Sequence, residues 1–310
     1  MGTSVVIVNP VAGHGTAAGR LPELEAHLAE HRVAHETVLT QRPMHAAELA
    51  EKAARDGADA VVAAGGDGTG NEVVNGLMRA RSSVRRLPAL GLLCIGRGND
   101  FAYGAGVPAD LAEGCRVLAD GYSRPIDVGL IVGGDYPQGR FFGNGIGIGF
   151  DTIVGLEAAK MKSLHGFLGY VLGALKTLFL YYRAPLLRID HSGVPFEKRS
   201  IQISVMNGRR MGGTFFMAPE AINDDGLLDL CMAGAPRRAQ MIGLMLKYMK
   251  GTQASSPHIV TGRVRKLDVT ALDGGLVIHA DGETICTSGV RVQVECLARQ
   301  LEVLCPRPLP

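Results

Sequence analysis

No block of like charge occurs anywhere in this sequence, and Lys plus Arg exceed Asp plus Glu by a formal charge of only +2. Nothing therefore attracts nucleic acid in general, and any partner has to be recognised by a local site. Cys-x-x-Cys pairs are missing, as are histidines at metal-ligand spacing from a cysteine. Cys94, Cys115, Cys231, Cys286, Cys296 and Cys305 thus read as small buried apolar side chains in a reducing compartment. Neither a basic region nor a cleavage site precedes the first apolar run, Val5-Val6-Ile7-Val8, so no secretory signal is expected. Tryptophan is absent altogether, whereas 42 glycines punctuate the chain, many at turns between what read as short strands. With 46% hydrophobic and 20% charged residues over 310 positions, disorder is excluded and there is material for two domains with cores of their own.

The most informative stretch runs from Val61 to Met78. An apolar run suited to a buried parallel strand breaks at Gly65-Gly66-Asp67-Gly68 and continues as a helix with Val73, Val74, Leu77 and Met78 on one side. Glycines at a strand-to-helix turn let backbone N–H groups converge on a phosphate, and the helix N-terminus adds partial positive charge. A carboxylate there repels phosphate unless a cation stands between them, so Asp67 suggests Mg²⁺ with a nucleotide. Thr69 and Glu72 also stand at capping-box spacing, which offers a purely structural reading of the same residues.

Around this stretch strands alternate with helices. The first strand ends at Asn9-Pro10 and opens into Val11-Ala12-Gly13, a helix follows to about His31, and further strands are expected near Thr37 to Leu39, at Leu90 to Cys94 and at Pro125 to Val132. Helices are expected over about Ala46 to Arg55 and Ala109 to Ala119. This alternation predicts a parallel sheet covered on both faces, with ligands beyond the carboxyl ends of its strands. After Asp135 short strands follow one another: 141–150, 186–191, 200–206, 227–232, 267–270, 276–279 and 290–294. They predict an antiparallel sandwich. Between them, 161–182 reads as an apolar helix with a narrow stripe of His165, Gly169, Gly173, Lys176 and Thr177. The charges make a membrane span costly, so a core helix or one lying at a lipid interface is expected instead, helped by Lys160, Lys162 and Arg183.

Gly65-Gly66-Asp67-Gly68-Thr69 with Glu72-Val73 and Asn75-Gly76-Leu77 resembles the diacylglycerol kinase catalytic-domain family, especially its soluble bacterial lipid kinases; sphingosine and NAD kinases share the glycine signature. Asn9-Pro10-x-Ala12-Gly13 and Gly96-Arg97-Gly98-Asn99-Asp100-Phe101 resemble two further segments of that family, with Arg97 standing where threonine is typical. The resemblance implies an α/β plus β architecture. A three-layer α/β/α nucleotide-binding domain of the NAD kinase and phosphofructokinase type would occupy 1–132, with a C-terminal return at 299–310, and an antiparallel β-sandwich lipid domain would occupy 133–298.

The same resemblance implies an ATP-dependent kinase acting on the hydroxyl of diacylglycerol or a related membrane lipid. Asn9, Gly13, Gly65, Gly66, Gly68, Thr69, Glu72, Asn75, Gly98, Asn99 and Asp100 would form the nucleotide site. Asp67, Asp100 and Asp127 would lie in the catalytic Mg²⁺ region. A second, structural Mg²⁺ would take the Asp225 carboxylate and the carbonyls of Ile222 and Leu227, in the turn Asp225-Gly226-Leu227. In Asp281-Gly282-Glu283, Glu283 would be the general base with Asp281 supporting it. The implied setting is cytoplasmic, with transient contact at the inner face of the membrane, and a homodimer is compatible with it. A kinase of NAD or a sphingoid base, or a regulator without turnover, are the alternatives.

Overall fold

The structure is a computed structural model that describes residues 3–160, 183–191 and 193–308; the helix expected over 161–182 lies outside the described residues. Four strands, β1 (Ser4–Val8), β2 (His35–Leu39), β3 (Ala60–Gly65) and β4 (Ala89–Cys94), form a parallel sheet in the order β2-β1-β3-β4. Their near-continuous apolar sequences follow from burial on both faces. Against one face, α2 (His45–Arg55) and α3 (Asp67–Ala80) bury Ala50, Val73, Val74 and Leu77. On the other, α1 (Leu21–Glu30) and α5 (Leu111–Asp120) bury Leu24, Leu28, Leu111 and Leu118. The three expected layers result. The helix expected to begin in the first glycine turn starts only at Leu21, because Gly13 and His14 take positive φ and two short 3₁₀ turns intervene.

Beyond a short α4 (Asp100–Ala105), β5 (Ser123–Gly133) and the last strand, β16 (Arg291–Leu304), pair antiparallel along their length and run through both halves of the chain. The C-terminal end of β16 closes the first sheet by pairing parallel with β4, Val303 opposite Leu90. Its N-terminal part joins β13 (Lys266–Ala271), β8 (Leu186–Asp190) and β9 (Phe196–Arg199). A second antiparallel sheet has the order β12-β11-β10-β7-β14-β15: Ile259–Val264, Leu228–Ala233, Gln202–Met206, Gly145–Gly149, Leu276–Ala280 and Glu283–Gly289. The sheets enclose one core of Phe142, Ile146, Ile148, Ile189, Val205 and Val292, the sandwich anticipated from the alternating short strands.

The continuous strand expected over 141–150 is broken. β6 (Tyr136–Phe142) ends before Gly143-Asn144, β7 follows, and Phe150 already begins α6 (Phe150–Lys160). Helix α7 (Arg238–Lys250), β9, β12 and β15 were not anticipated. Among the described residues no helix is long and apolar enough to cross a membrane.

Candidate active site

Three loops meet at the carboxyl ends of β1, β3 and β4. Their closeness depends on glycine. A Cβ on Gly96 would lie 2.4 Å from the Gly66 nitrogen, and one on Gly65 would lie 2.3 Å from Thr69 Oγ1. The Gly96 N–H donates to the Gly65 carbonyl at 2.9 Å. Asn9 fastens the first loop beneath them: its amide donates to Thr69 Oγ1 at 3.2 Å and its Oδ1 accepts from Val11 N–H. Thr69 is buried, so Asn9 and Thr69 hold the turn from below, and Gly13 contributes a left-handed residue at φ +63°. The N-cap of α3 is Gly66, which brings no side-chain acceptor, and the first N–H groups of a fourteen-residue helix are left to face the cleft.

Asp67 sits at that helix start. Its Oδ1 accepts from Phe101 N–H at 2.9 Å, and a Cβ on Gly98 would come 2.8 Å from Asp67 Oδ2 and 3.9 Å from Asp100 Oδ2. The two carboxylates thus face one small space that only glycine leaves open. Burial first, then the Asp100 charge and Asp281, push Asp67 up to about 7, with the Phe101 N–H working against them. Burial also raises Asp100, opposed by Gly213 N–H and by Arg210, whose Nε donates to Asp100 Oδ1 at 2.8 Å while its guanidinium lies 3.8 Å over the Tyr103 ring. Arg210 pairs with Asp100 and leaves Asp67 beside it without a cation of its own, and two carboxylates facing one space suit Mg²⁺ bound together with phosphate. Asn99, at φ +52°, is the N-cap residue of α4; its side chain reaches only the Gly96 carbonyl, at 3.5 Å.

Across the cleft, Asp281 and Gly282 are the two central residues of the β14–β15 hairpin. Both have positive φ, +48° and +86°, as a type I′ turn requires, which accounts for the Asp-Gly sequence. The Asp281 carboxylate points inward and is only 5% exposed. Its Oδ1 accepts from Asn144 N–H at 3.0 Å and Gly145 N–H at 2.8 Å, and its Oδ2 from Gly143 N–H at 2.7 Å and the Asn71 amide at 3.0 Å. This bonding causes the break between β6 and β7. Burial nonetheless holds Asp281 above the usual carboxylate range. Asp281 is therefore a positioning residue, with all its acceptor capacity spent on protein.

Glu283 opens β15, and its Oε1 lies against Gly68, 2.7 Å from where a Cβ on that residue would be. Burial raises its pKa, Arg140 opposes this, and Glu72 and Asp281 add to it. Arg140, 2% exposed, donates Nε and Nη2 to Asn71 Oδ1 at 3.0 and 2.6 Å. The hub of Asn71 and Arg140 was missed in the sequence, where nothing local distinguishes either residue.

Several assignments are corrected. Glu72 does not face the nucleotide cleft, nor does it cap α3: its two oxygens accept from Met44 N–H at 2.8 Å and Ala46 N–H at 3.1 Å, capping α2. Glu72→Ala should cost about 1–2 kcal/mol in urea unfolding while leaving KM for ATP unchanged; a raised KM without loss of stability would restore the nucleotide role. Asn75 is buried and exchanges hydrogen bonds with Phe141 N–H and C=O and with Asn71, tying the two halves together. Asp127, fully buried, accepts from Gly226 N–H at 2.6 Å and from Arg299 N–H at 2.7 Å, filling the irregularity where three residues of β16, 298–300, face one of β5. It is a junction acceptor and no metal ligand. At the turn expected to hold a second metal, Asp225 accepts from Leu227 N–H and pairs with Arg263. Ile222, the neighbouring residue expected to give its carbonyl, is half exposed.

Asp67, Arg97, Gly98, Asp100 and Asp281 line one cavity of about 770 Å³ between the halves, together with residues of β7, α6 and the 211–215 loop. Residues 3–131 of the chain match the diacylglycerol kinase catalytic domain, and residues 144–305 match the YegS C-terminal NAD kinase beta sandwich-like domain. A protein of Pseudomonas aeruginosa (strain UCBPP-PA14) named "Probable lipid kinase YegS-like" is 31% identical over 300 residues, 96% of this chain and 94% of its own. The diacylglycerol kinase of Bacillus subtilis (strain 168) is 28% identical over 280 residues, 90% of this chain and 88% of its own. A crystal structure of a diacylglycerol kinase from Bacillus anthracis (strain Sterne) superposes with a TM-score of 0.70 at 20% identity, covering 98% of this chain and 97% of that one, and so shares the fold.

Proposed function

The chain belongs to the diacylglycerol kinase catalytic-domain family, and from that premise we propose that it transfers the γ-phosphoryl group of ATP to the free hydroxyl of diacylglycerol, giving phosphatidic acid and ADP. The observation that supports this reading is the placement of Glu283 Oε1 against Gly68 in the first turn of α3, the residue that follows Asp67 in the chain. A proton acceptor and an anion-binding helix N-terminus then serve one transfer. The α3 N-terminus and the glycine turns around Gly66 and Gly98 hold the phosphates. Asp67 and Asp100 would hold Mg²⁺, whose chemistry there is neutralisation of phosphate charge. Glu283 takes the proton of the lipid hydroxyl as its oxygen bonds to the γ-phosphorus and the bond to the β-phosphate oxygen breaks, releasing ADP. Alignment and charge neutralisation supply most of the acceleration in such transfers. The lipid is taken from the cytoplasmic face of a membrane by a peripheral protein.

The test is transfer of labelled phosphate from Mg-ATP to a panel of diacylglycerol, sphingoid base and NAD in mixed micelles. Labelling of diacylglycerol above the others is expected. Labelling of NAD or of the sphingoid base in its place would assign another substrate, and ATP binding without any labelled product would leave a regulator.

The cation assignment has its own signature. Asp67, displaced upward to about 7 in the cation-free protein, must lose its proton to bind a metal. Its folded pKa lies above the unfolded value, so its contribution to stability is complete below about pH 4 and is lost as pH rises through about 7. Mg²⁺ restores what is lost. Apparent Mg²⁺ affinity should accordingly rise by about ten-fold per pH unit up to pH 7 and then level off. Thermal shifts with Mg²⁺ at pH 6 and pH 8 measure this, and equal shifts would remove Asp67 from the metal site.

A further inference from the structure

Resting on the lipid-kinase reading above, we propose that Arg97 binds the terminal phosphates of ATP, bringing to them a positive charge from the turn between β4 and α4. That turn is built against the start of α3. The Gly96 N–H donates to the Gly65 carbonyl, and a Cβ on Gly66 would lie 3.2 Å from the Arg97 carbonyl oxygen and 3.4 Å from the Arg97 nitrogen. Arg97 therefore stands beside the N-cap of α3, whose first N–H groups face the cleft. Its own carbonyl accepts from Asn99 N–H at 3.0 Å, which fixes the backbone of the turn. The residue is exposed and lines the same cavity as Asp67 and Asp100.

Arg97 differs from the arginines around it in having no partner. Arg20 donates to Glu23 and to the Cys94 carbonyl, Arg140 to Asn71, and Arg210 to Asp100. The Arg97 side chain makes no hydrogen bond or ion pair with a described residue. A guanidinium carries a rigid fork of donors that matches phosphate oxygens, and one that holds nothing in the protein gives up nothing to take such a partner. Arg97 is thus available where the other three are engaged.

The next residue says which phosphates it meets. Gly98 leaves open the space shared by the Asp67 and Asp100 carboxylates, where Mg²⁺ would be held. In phosphoryl transfer such a metal bridges oxygens of the β- and γ-phosphates, so these are the groups brought beside Arg97. Arg210 already offsets Asp100, and a metal ion there is shared with the Asp67 carboxylate, which leaves much of the triphosphate charge uncompensated. A guanidinium at 97 reduces that excess.

Calorimetric titration with Mg-ATP, in the absence of lipid, reads the contact directly. Arg97→Gln keeps most of the side-chain length and removes the charge; it should weaken ATP by about ten-fold at low salt, and Arg97→Lys should recover part of the loss. The gap between the unmodified protein and Arg97→Gln should shrink to about two-fold in about 0.5 M KCl, because screening weakens a contact between charges and leaves shape untouched. ADP should be weakened along with ATP, whereas AMP, which lacks the terminal phosphates, should bind both proteins alike. Lys160 and Lys162 are common to both proteins, so the difference belongs to residue 97 alone. Tm should not move, since the guanidinium holds no described residue. Equal affinity of the two proteins for Mg-ATP at low salt would overturn the inference, as would a gap that salt does not narrow or an equal weakening of AMP. Because binding is read apart from turnover, the two readings fail separately: weakened ATP with no labelled lipid would sink the lipid-kinase reading and support this contact, and labelled diacylglycerol with unchanged ATP affinity would sink the contact alone.

Discussion

Replacing Glu283 by glutamine is expected to lower kcat by about 10²–10⁴-fold, the range a positioned proton acceptor contributes, with little change in KM for ATP. Glutamine keeps the shape of the side chain against Gly68 and loses only the ability to take a proton. The folded protein should not suffer. Burial raises the Glu283 pKa above its unfolded value, so ionising it in place costs stability that is progressively lost as pH rises through the folded pKa. Glutamine removes that cost, and Tm at neutral pH should stay level or rise. The acid limb of the kcat profile should lie above the ordinary glutamate range in the native enzyme and vanish in the variant. Full activity in Glu283→Gln would transfer the role of base elsewhere.

Asp281→Ala is expected to fail differently, through structure. Four donors converge on this carboxylate, three of them the consecutive backbone N–H groups of Gly143, Asn144 and Gly145. Alanine would leave them buried without an acceptor, each lost bond costing about 1–3 kcal/mol. Relaxation and water recover part of that, so a loss of about 3–5 kcal/mol in urea unfolding is expected. Asparagine should rescue only partly, because its NH₂ would meet an N–H donor where the second oxygen had been. Activity should fall along with stability, since Asp281 sets the hairpin that carries Glu283 and anchors Asn71 on α3. Near-native stability in Asp281→Ala would refute the role of hub.

Several features were legible in the sequence because their causes are local. Buried parallel strands announce themselves as apolar runs, glycine turns mark where backbones approach, and Asp281-Gly282 fits a two-residue hairpin whose central residues need positive φ. The order of motifs from Asn9 to Glu283 carried the resemblance to a family, and with it both domains. Boundaries were less exact. The continuous strand expected over 141–150 gave way at Gly143, because a carboxylate far along the chain captures three successive N–H groups there.

Which carboxylate does what was decided only by the tertiary structure. Asp127, Asp225, Asp281 and Glu72 look alike in sequence, each an acid beside a turn or at a helix start, yet the fold spends Asp127, Asp281 and Glu72 on backbone N–H groups and pairs Asp225 with Arg263. Asp67 keeps an oxygen facing the cleft. Likewise Asn71 and Arg140 acquire their surroundings from partners remote in the chain, such as the Asn71–Asp281 bond that spans 210 residues. Backbone conformation responds to neighbouring residues and could be read from them. The fate of a polar group depends on which donors the packed chain brings within about 3 Å, and that is settled when the sheets and helices close around it.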